Sequence, residues 1–463
     1  MQQTFERKLD LKLILSIVAT GLMSFTGVVV ETAMNVTFPT LMREFGVNLS
    51  TVQWITTGYL LILAIIIPSS AFLKKKFTSK KIFITANLIF LTGTFLGAFA
   101  SSFEMLLFGR LLQGAGTGIA LPLMFNIVME QAPLDKIGLM MGAATLVVAM
   151  APAVGPSVGG MIINDYGWRM IFEALAPVII FSLISGTISI RQSSELKSEH
   201  FPVSEYILLA ISFTCFILGS SFAGSLSWTS PVVLGLFAAS LLVIKFFCSM
   251  SLKSAEPLIH LHIFKNKSFT LSVMGLLLLQ FICLGLGFLI PNFAQIVLHE
   301  NAFVAGCILL PGCLLGAMLA PISGKILDKF GARRPILFGT FCVIVAAASF
   351  NFVILNSTVI LLTCIYVIFT LGQGFTSGNT MVHGLKCLAD EFKADGNAVF
   401  NTLQQLAGAI GTAITATIVA SPQKEISDLA TATAQGSQNA FEVLLVASVV
   451  LFICMNVATR NET

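Results

Sequence analysis

Charge is what this sequence has least of. Only 10% of its 463 residues are Asp, Glu, Lys or Arg, where soluble domains carry about 25%, so a water-soluble globule is excluded. Tyrosine and tryptophan are also sparse, at four and three against 39 phenylalanines, and most of that phenylalanine reads as lipid-facing or packed bulk. The nine cysteines show no CxxC spacing. Nearly all fall in apolar runs, where cysteine behaves as a small hydrophobe, so neither a disulfide framework nor a metal is expected. HExxH, paired intramembrane carboxylates and the phosphate-cradling GxxxxGK[ST] are missing too, which argues against an enzyme and against ATP as a power source, and no cofactor is implied. The formal net charge of +4 does not point to nucleic acid, because topology explains where the charges lie.

What the chain does have is apolar length. It is 56% hydrophobic with a mean hydropathy of +0.92, and a helix needs about 20 apolar residues to span a bilayer with its backbone satisfied. Fourteen such runs can be read, approximately 11–38, 51–73, 82–103, 105–129, 138–163, 170–190, 205–223, 231–250, 269–297, 302–325, 335–353, 358–384, 397–420 and 440–459. The seventh and eighth flank GSLSWTSP. The first has a basic lead (Arg7, Lys8, Lys12) but is far longer than a secretory signal core, so it counts as a span. Alternate loops collect cations such as Lys74, Lys75, Lys76, Lys80, Lys81, Lys329 and Arg333, against only Arg43, Arg169 and Lys424 on the other side. The positive-inside rule then sets both termini in the cytoplasm.

Within the first run, Glu31 stands far from any other charge. Ionising a carboxyl at such a depth costs roughly 2.5–3.5 kcal/mol on insertion scales, so an acid there is a candidate for proton loading and release. Counted along their helices at 1.5 Å per residue, Glu31 on span one and Arg110 on span four both lie roughly 8–10 Å below the outer surface. Burial favours the neutral acid and a nearby guanidinium favours the carboxylate, so a change in their separation would move a proton on or off. The alternative is a static ion pair that only fixes helix packing. Gln113, one turn deeper than Arg110, can hydrogen-bond either group. Glu173, just inside span six, is a second proton candidate or a surface partner of Arg169.

Span five carries Pro152, Gly155, Pro156 and Gly159. The glycines form a smooth strip for close helix approach and the prolines bend the helix, which suits either a moving interface or a purely structural one. In the second half the intramembrane polar residues are amides, among them Gln280, Gln295, Asn401 and Gln405. Together with Asn35 and Gln113 they are candidates to line a cavity, although such amides also hold helices together.

The loops expose a repeat. GKILDKFGARR at 324–334 and AFLKKKFTSKK at 71–81 join equivalent spans, and only the former keeps Asp328 and Gly331. The chain here resembles the major facilitator superfamily, and within it the fourteen-span drug:proton antiporter family. The superfamily loop signature Gly-x-x-x-Asp-Arg-x-Gly-Arg-Arg fits the second copy well and the first poorly. The first-span signature is matched by Glu31 in place of Asp, Asn35 and Pro39, the fourth-span signature by Arg110, Gln113, Gly114 and Gly116, and the fifth-span antiporter signature by Gly155, Pro156, Gly159 and Gly160.

The resemblance implies an all-α membrane protein of the major facilitator fold, with two six-helix bundles related by a pseudo-twofold axis and two inserted helices. The bundles would occupy 1–200 and 256–463, with the inserted hairpin at 201–255. It further implies proton coupling at Glu31 and Arg110, a conformational switch at the span-five residues with Asp328 and Gly331, and export of amphipathic, often cationic compounds by a monomer in the bacterial inner membrane. Two other readings keep the scaffold: an exporter of an endogenous lipid, fatty acid or metabolite, and a non-transporting receptor.

Overall fold

A computed structural model describes residues 10–133, 137–192, 201–254, 257–354, 357–389 and 392–460. Fourteen long helices account for most of them: α1 (Leu11–Phe45), α2 (Leu49–Ser69), α3 (Ser79–Ala98), α4 (Phe103–Gln131), α5 (Ile137–Tyr166), α6 (Arg169–Ser189), α7 (Val203–Leu226), α8 (Pro231–Ser251), α9 (Lys267–Ile296), α10 (Ala302–Cys307, resuming as Leu310–Phe330), α11 (Arg333–Val353), α12 (Val359–Lys386), α13 (Lys393–Ala420) and α14 (Leu429–Ala458). Among the described residues, thirteen helices are long and apolar enough to cross a membrane. The 30-residue α5 supplies the fourteenth. The end of the bundle that holds both termini is called proximal below, and the opposite end distal.

Polar residues just before the apolar runs fix where the helices begin. Asp10, Asn48, Ser102, Asn266, Asn301, Thr358 and Asp428 each accept a hydrogen bond from the backbone N–H three residues on, satisfying a donor that the first turn leaves without a partner. The last of these explains a difference from the sequence reading, in which span fourteen starts near 440. The helix starts at Leu429. Its polar first turns turn small residues, Ala432, Thr433, Gly436 and Ser437, into the protein, so protein contacts rather than lipid hold them.

The helices pack as two copies of one pattern. In the first half α1 contacts α4, α5 and α6, while α3 packs on α4 and α6, and α2 on α4. In the second half α9 contacts α12, α13 and α14, while α11 packs on α12 and α14, and α10 on α12. Close crossings recur in both: Gly109 of α4 lies against the backbone of Gly93, and Gly372 of α12 against that of Gly339. A Cβ at any of these positions would meet backbone, so the helices approach only because glycine stands there.

The halves meet along two symmetry-related seams, α5 with α10 and α2 with α13. The α7–α8 hairpin lies over the second seam. Its α7 touches both α2 and α13, with Ser221 Oγ accepting from Gln53 Nε2 at 3.1 Å and Trp54 Nε1 at 2.7 Å, and Thr417 Oγ1 of α13 donating to Ser220 O at 3.2 Å. The distal part of the molecule is closed between the halves. Gln295 Nε2 donates to Val36 O at 3.1 Å, Ser157 Oγ to Gly306 O at 3.4 Å, and the rings of Phe38 and Phe288 lie 5.9 Å apart.

Candidate functional site

The distal half of α1 brings Glu31 to the seam. The α-helical part of α1 ends at Ala33 and tightens into a 3-10 turn over Met34–Thr37, one turn beyond the acid. Glu31 is 6% exposed. Among the described residues no hydrogen bond or ion pair reaches its carboxylate, while the Arg110 guanidinium lies within electrostatic reach of it. The two groups are thus brought together without touching.

Arg110 is held from three sides. It is fully buried on α4; its Nε donates to Ile55 O at 3.2 Å, its Nη1 to Gln113 Oε1 at 2.8 Å, and its Cζ lies 4.4 Å from the centre of the Tyr59 ring. Its Nη2 has no hydrogen-bond partner among the described residues. A buried donor left unpaired is costly, and here it belongs to a cation whose nearest acid is also unpaired. The Tyr59 hydroxyl lies within hydrogen-bond distance of Gly27 O (3.0 Å) and Thr117 Oγ1 (2.8 Å), and Gln113 Nε2 donates to Thr94 Oγ1 at 2.9 Å. Gln113 is therefore committed to holding Arg110 in this state. Burial disfavours a charged carboxylate and a guanidinium within reach favours one, so the protonation of Glu31 follows how far Arg110 stands from it.

The remaining residues singled out from sequence fall into distinct places. Asn35 accepts from Thr56 Oγ1 at 2.9 Å and faces Gly287 of α9 across the seam. Gln295 is taken up in the distal closure described above. Gln280 and Gln405 are half-buried on α9 and α13, and Asn401 donates to Asn397 O at 2.8 Å in the proximal part of α13. None of these three is joined to the Glu31 cluster by a hydrogen bond among the described residues. On α5, a Cβ at Gly155 would meet Val29 O at 2.9 Å and the Thr32 hydroxyl, and one at Gly159 would stand 2.8 Å from Ala33 Cβ. The strip therefore seats α5 on α1 beside Glu31. The opposite side of α5 meets α10, where Gly160 abuts Ala302 O and Pro156 O abuts Gly306. Pro152 and Pro156 both lie inside α5. Gly331 ends α10 with φ +77°, a conformation that glycine adopts freely. Asp328 lies in the last turn of that helix, and its side chain is outside the described residues.

Glu173 does not pair with Arg169. Instead Arg169 Nη1 contacts Glu44 Oε1 at 2.7 Å, with Trp168 Nε1 donating to the other oxygen of Glu44 at 2.6 Å, and Glu173 is exposed.

The pseudo-symmetry shows what the second half puts opposite. Counted from equivalent caps (Asp10 with Asn266, Asn48 with Asn301, Ser102 with Thr358), Glu31 corresponds to Gly287, Tyr59 to Gly312 and Arg110 to Tyr366. The two ionisable groups and the Tyr59 phenol thus have no counterpart in α9, α10 and α12, where two positions are glycine and the third is Tyr366. Cys283, one turn before Gly287, lies within electrostatic reach of Glu31 and accepts from Gln373 Nε2 at 3.1 Å, while Cys313 Sγ and the Tyr366 hydroxyl are 3.5 Å apart. A charged wall faces a neutral, sulfur- and aromatic-rich one. Sequence reading counted Gln373 among the intramembrane amides that could line a cavity but missed Cys283, Cys313 and Tyr366, since Cys and Tyr inside an apolar run look like bulk; aligning the helix caps of the two halves is the signal that finds them.

Two helical bundles facing each other along polar seams inside a bilayer define a membrane transporter. The chain belongs to the Major Facilitator Superfamily, whose family profile matches residues 20–412. It is 34% identical over 410 residues to the lincomycin resistance protein LmrB of Bacillus subtilis, covering 87% of this chain and 85% of that one. It is 32% identical over 448 residues to the protein of the same name in Listeria monocytogenes, covering 95% of each chain. A multidrug resistance protein B homolog of Mycobacterium tuberculosis is 28% identical over 418 residues, covering 89% of this chain and 77% of that one. Among solved structures, a bacterial homolog of the human lysosomal transporter Spinster, inward-facing and unoccupied, superposes with a TM-score of 0.72 at 14% identity, covering 98% of this chain and 99% of that one. That likeness concerns the fold alone.

Proposed function

We propose that this chain exports amphipathic, often cationic compounds in exchange for protons, by alternating access between its two bundles. The observation that carries the reading is Glu31: an acid buried in a membrane span, beside the seam, within reach of a buried guanidinium but with no hydrogen bond or ion pair among the described residues. An acid so placed is neutral when dry and can ionise when water or Arg110 comes closer, which is the requirement for carrying a proton across. The neutral wall of Cys283, Gln373 and Tyr366 suits apolar and aromatic cargo, and Glu31 supplies attraction for a positive charge. Such a surface selects weakly among amphipaths. Relatives named for lincomycin and multidrug resistance support a drug-like cargo.

The proton gradient would drive the exchange, its electrical part worth about 2.3 kcal/mol per charge per 100 mV. Closure of the distal contacts and their release, with α5 moving on α10, would alternate access, and Asp328 and Gly331 would act at the proximal loop. Since one chain holds both bundles, a monomer suffices. The lysine-rich loops at the proximal end support a topology in which that end, with both termini, faces the cytoplasm and the helices cross a cell membrane.

The test compares purified wild type with Glu31→Gln. Wild type should release protons when a transported compound is added, and Glu31→Gln should release none, while cells carrying Glu31→Gln at matched membrane expression should lose efflux at least tenfold. Efflux at the wild-type level in that variant would defeat the proposal.

A further inference from the structure

A groove on the outer side of the first half lies between α3 and α6, remote in role from the seam. Its cavity volume is about 230 Å³, and Thr94, Phe95, Phe99, Phe172, Glu173 and Ile180 line it. Glu173 is four residues into α6, roughly 6 Å below the distal end of that helix, so it sits where headgroups meet acyl chains. Its carboxylate is exposed and makes no hydrogen bond or ion pair among the described residues. The cation that could have neutralised it, Arg169, is committed to Glu44 and to Ala100 O at 2.7 Å and stacks 4.2 Å from the centre of the Trp168 ring. Beside the acid, Phe95 and Phe99, which also line the groove, are 44% and 72% exposed. The floor is Phe172, seated against Gly97 at 2.6 Å from where a Cβ would stand.

We infer that this groove binds the positively charged end of an amphipathic organic cation dissolved in the distal leaflet. An unpaired carboxylate flanked by aromatic faces at the membrane interface is complementary to a quaternary ammonium, which is held by charge and by ring quadrupoles together and needs no hydrogen-bond partner. The volume is below the roughly 300–1,000 Å³ of pockets that enclose a whole drug-sized molecule. Only the charged end therefore enters, and the tail stays among lipid chains. Glu31 is not among the residues that line the groove; the hydrogen-bonded link toward it runs from Thr94, in the groove wall, through Gln113 to Arg110.

The test uses full-length protein in nanodiscs of phosphatidylglycerol, which has no ammonium headgroup, and a trimethylammonium amphipath bearing a benzophenone near its charged end. Photolabelling followed by peptide mass spectrometry should place the label on the segments 94–99 and 172–180. Labelling should fall at least fivefold in Glu173→Gln, persist in Glu173→Asp, and be unchanged in Glu31→Gln. Equal labelling of wild type and Glu173→Gln, or a loss in Glu173→Asp as deep as in Glu173→Gln, overturns the inference. So does abolition of labelling when phosphatidylethanolamine is added to the nanodiscs, since the groove would then belong to a lipid headgroup.

Discussion

Gly306→Ala should open the distal side of the transporter. Gly306 stands where α10 crosses α5, and a Cβ built there runs into the carbonyl oxygen of Pro156, with Pro156 C at 2.5 Å and Ser157 N at 3.0 Å. These are backbone atoms in a helix that is seated on α1 through Gly155 and Gly159, so no side chain can swing aside and α10 must move away. Overpacking of this kind costs about 1–3 kcal/mol. Because α5 and α10 belong to different halves, the cost falls mainly on the distally closed state, and a shift of that size changes a two-state ratio by about 5- to 150-fold. Spin labels at Phe99 and Phe352, both exposed at the distal ends of α3 and α11 and one in each half, would report the change by double electron-electron resonance in a background with the nine cysteines replaced. The distribution should gain a longer distance in Gly306→Ala. In Gly378→Ala, where nothing lies within 4 Å of the new methyl, it should match the parent. An unchanged distribution in Gly306→Ala would refute the argument that this crossing seals the distal side.

Two further outcomes follow from particular contacts. Tyr59→Phe keeps the ring under Arg110 but removes the hydroxyl that lies between Gly27 O and Thr117 Oγ1, which should cost about 1 kcal/mol and lower the thermal unfolding midpoint of the purified protein by a few degrees. Asp10 accepts the Leu13 N–H at 2.9 Å and pairs with Arg191 at 2.6 Å; the backbone bond first, and then Arg191, hold its carboxyl below the ordinary value of 3.8. A depressed carboxyl stabilises the fold above its ordinary value, and that contribution fades as pH falls through the depressed one. Amide protection at the start of α1, taken relative to intrinsic exchange at each pH, should therefore fall below pH 3.8 in wild type and vary less with pH in Asp10→Asn, which keeps a cap without the charge.

The sequence by itself determined that this is a membrane protein of many helices and where most of them begin. Lipid leaves a spanning chain few choices, and apolar runs bounded by Asp, Asn, Ser or Thr caps state the elements almost directly. It also made Glu31 and Arg110 conspicuous, since charge in such runs is costly, and it put them at one depth by counting residues. What it could not determine was which polar groups meet across helices. Gln295 looks like Gln280 and Gln405 on paper, yet only Gln295 reaches the backbone of the other half. Arg169 could as well have met Glu173, four residues on, as Glu44 of α1, and the structure chose Glu44. Such choices turn on helix rotation and crossing. Both are set by contacts between residues far apart in the chain, such as the close approaches at Gly109, Gly155 and Gly306. The same packing left Glu31 and the Nη2 of Arg110 without hydrogen-bond partners among the described residues, a state that only the assembled bundle can hold.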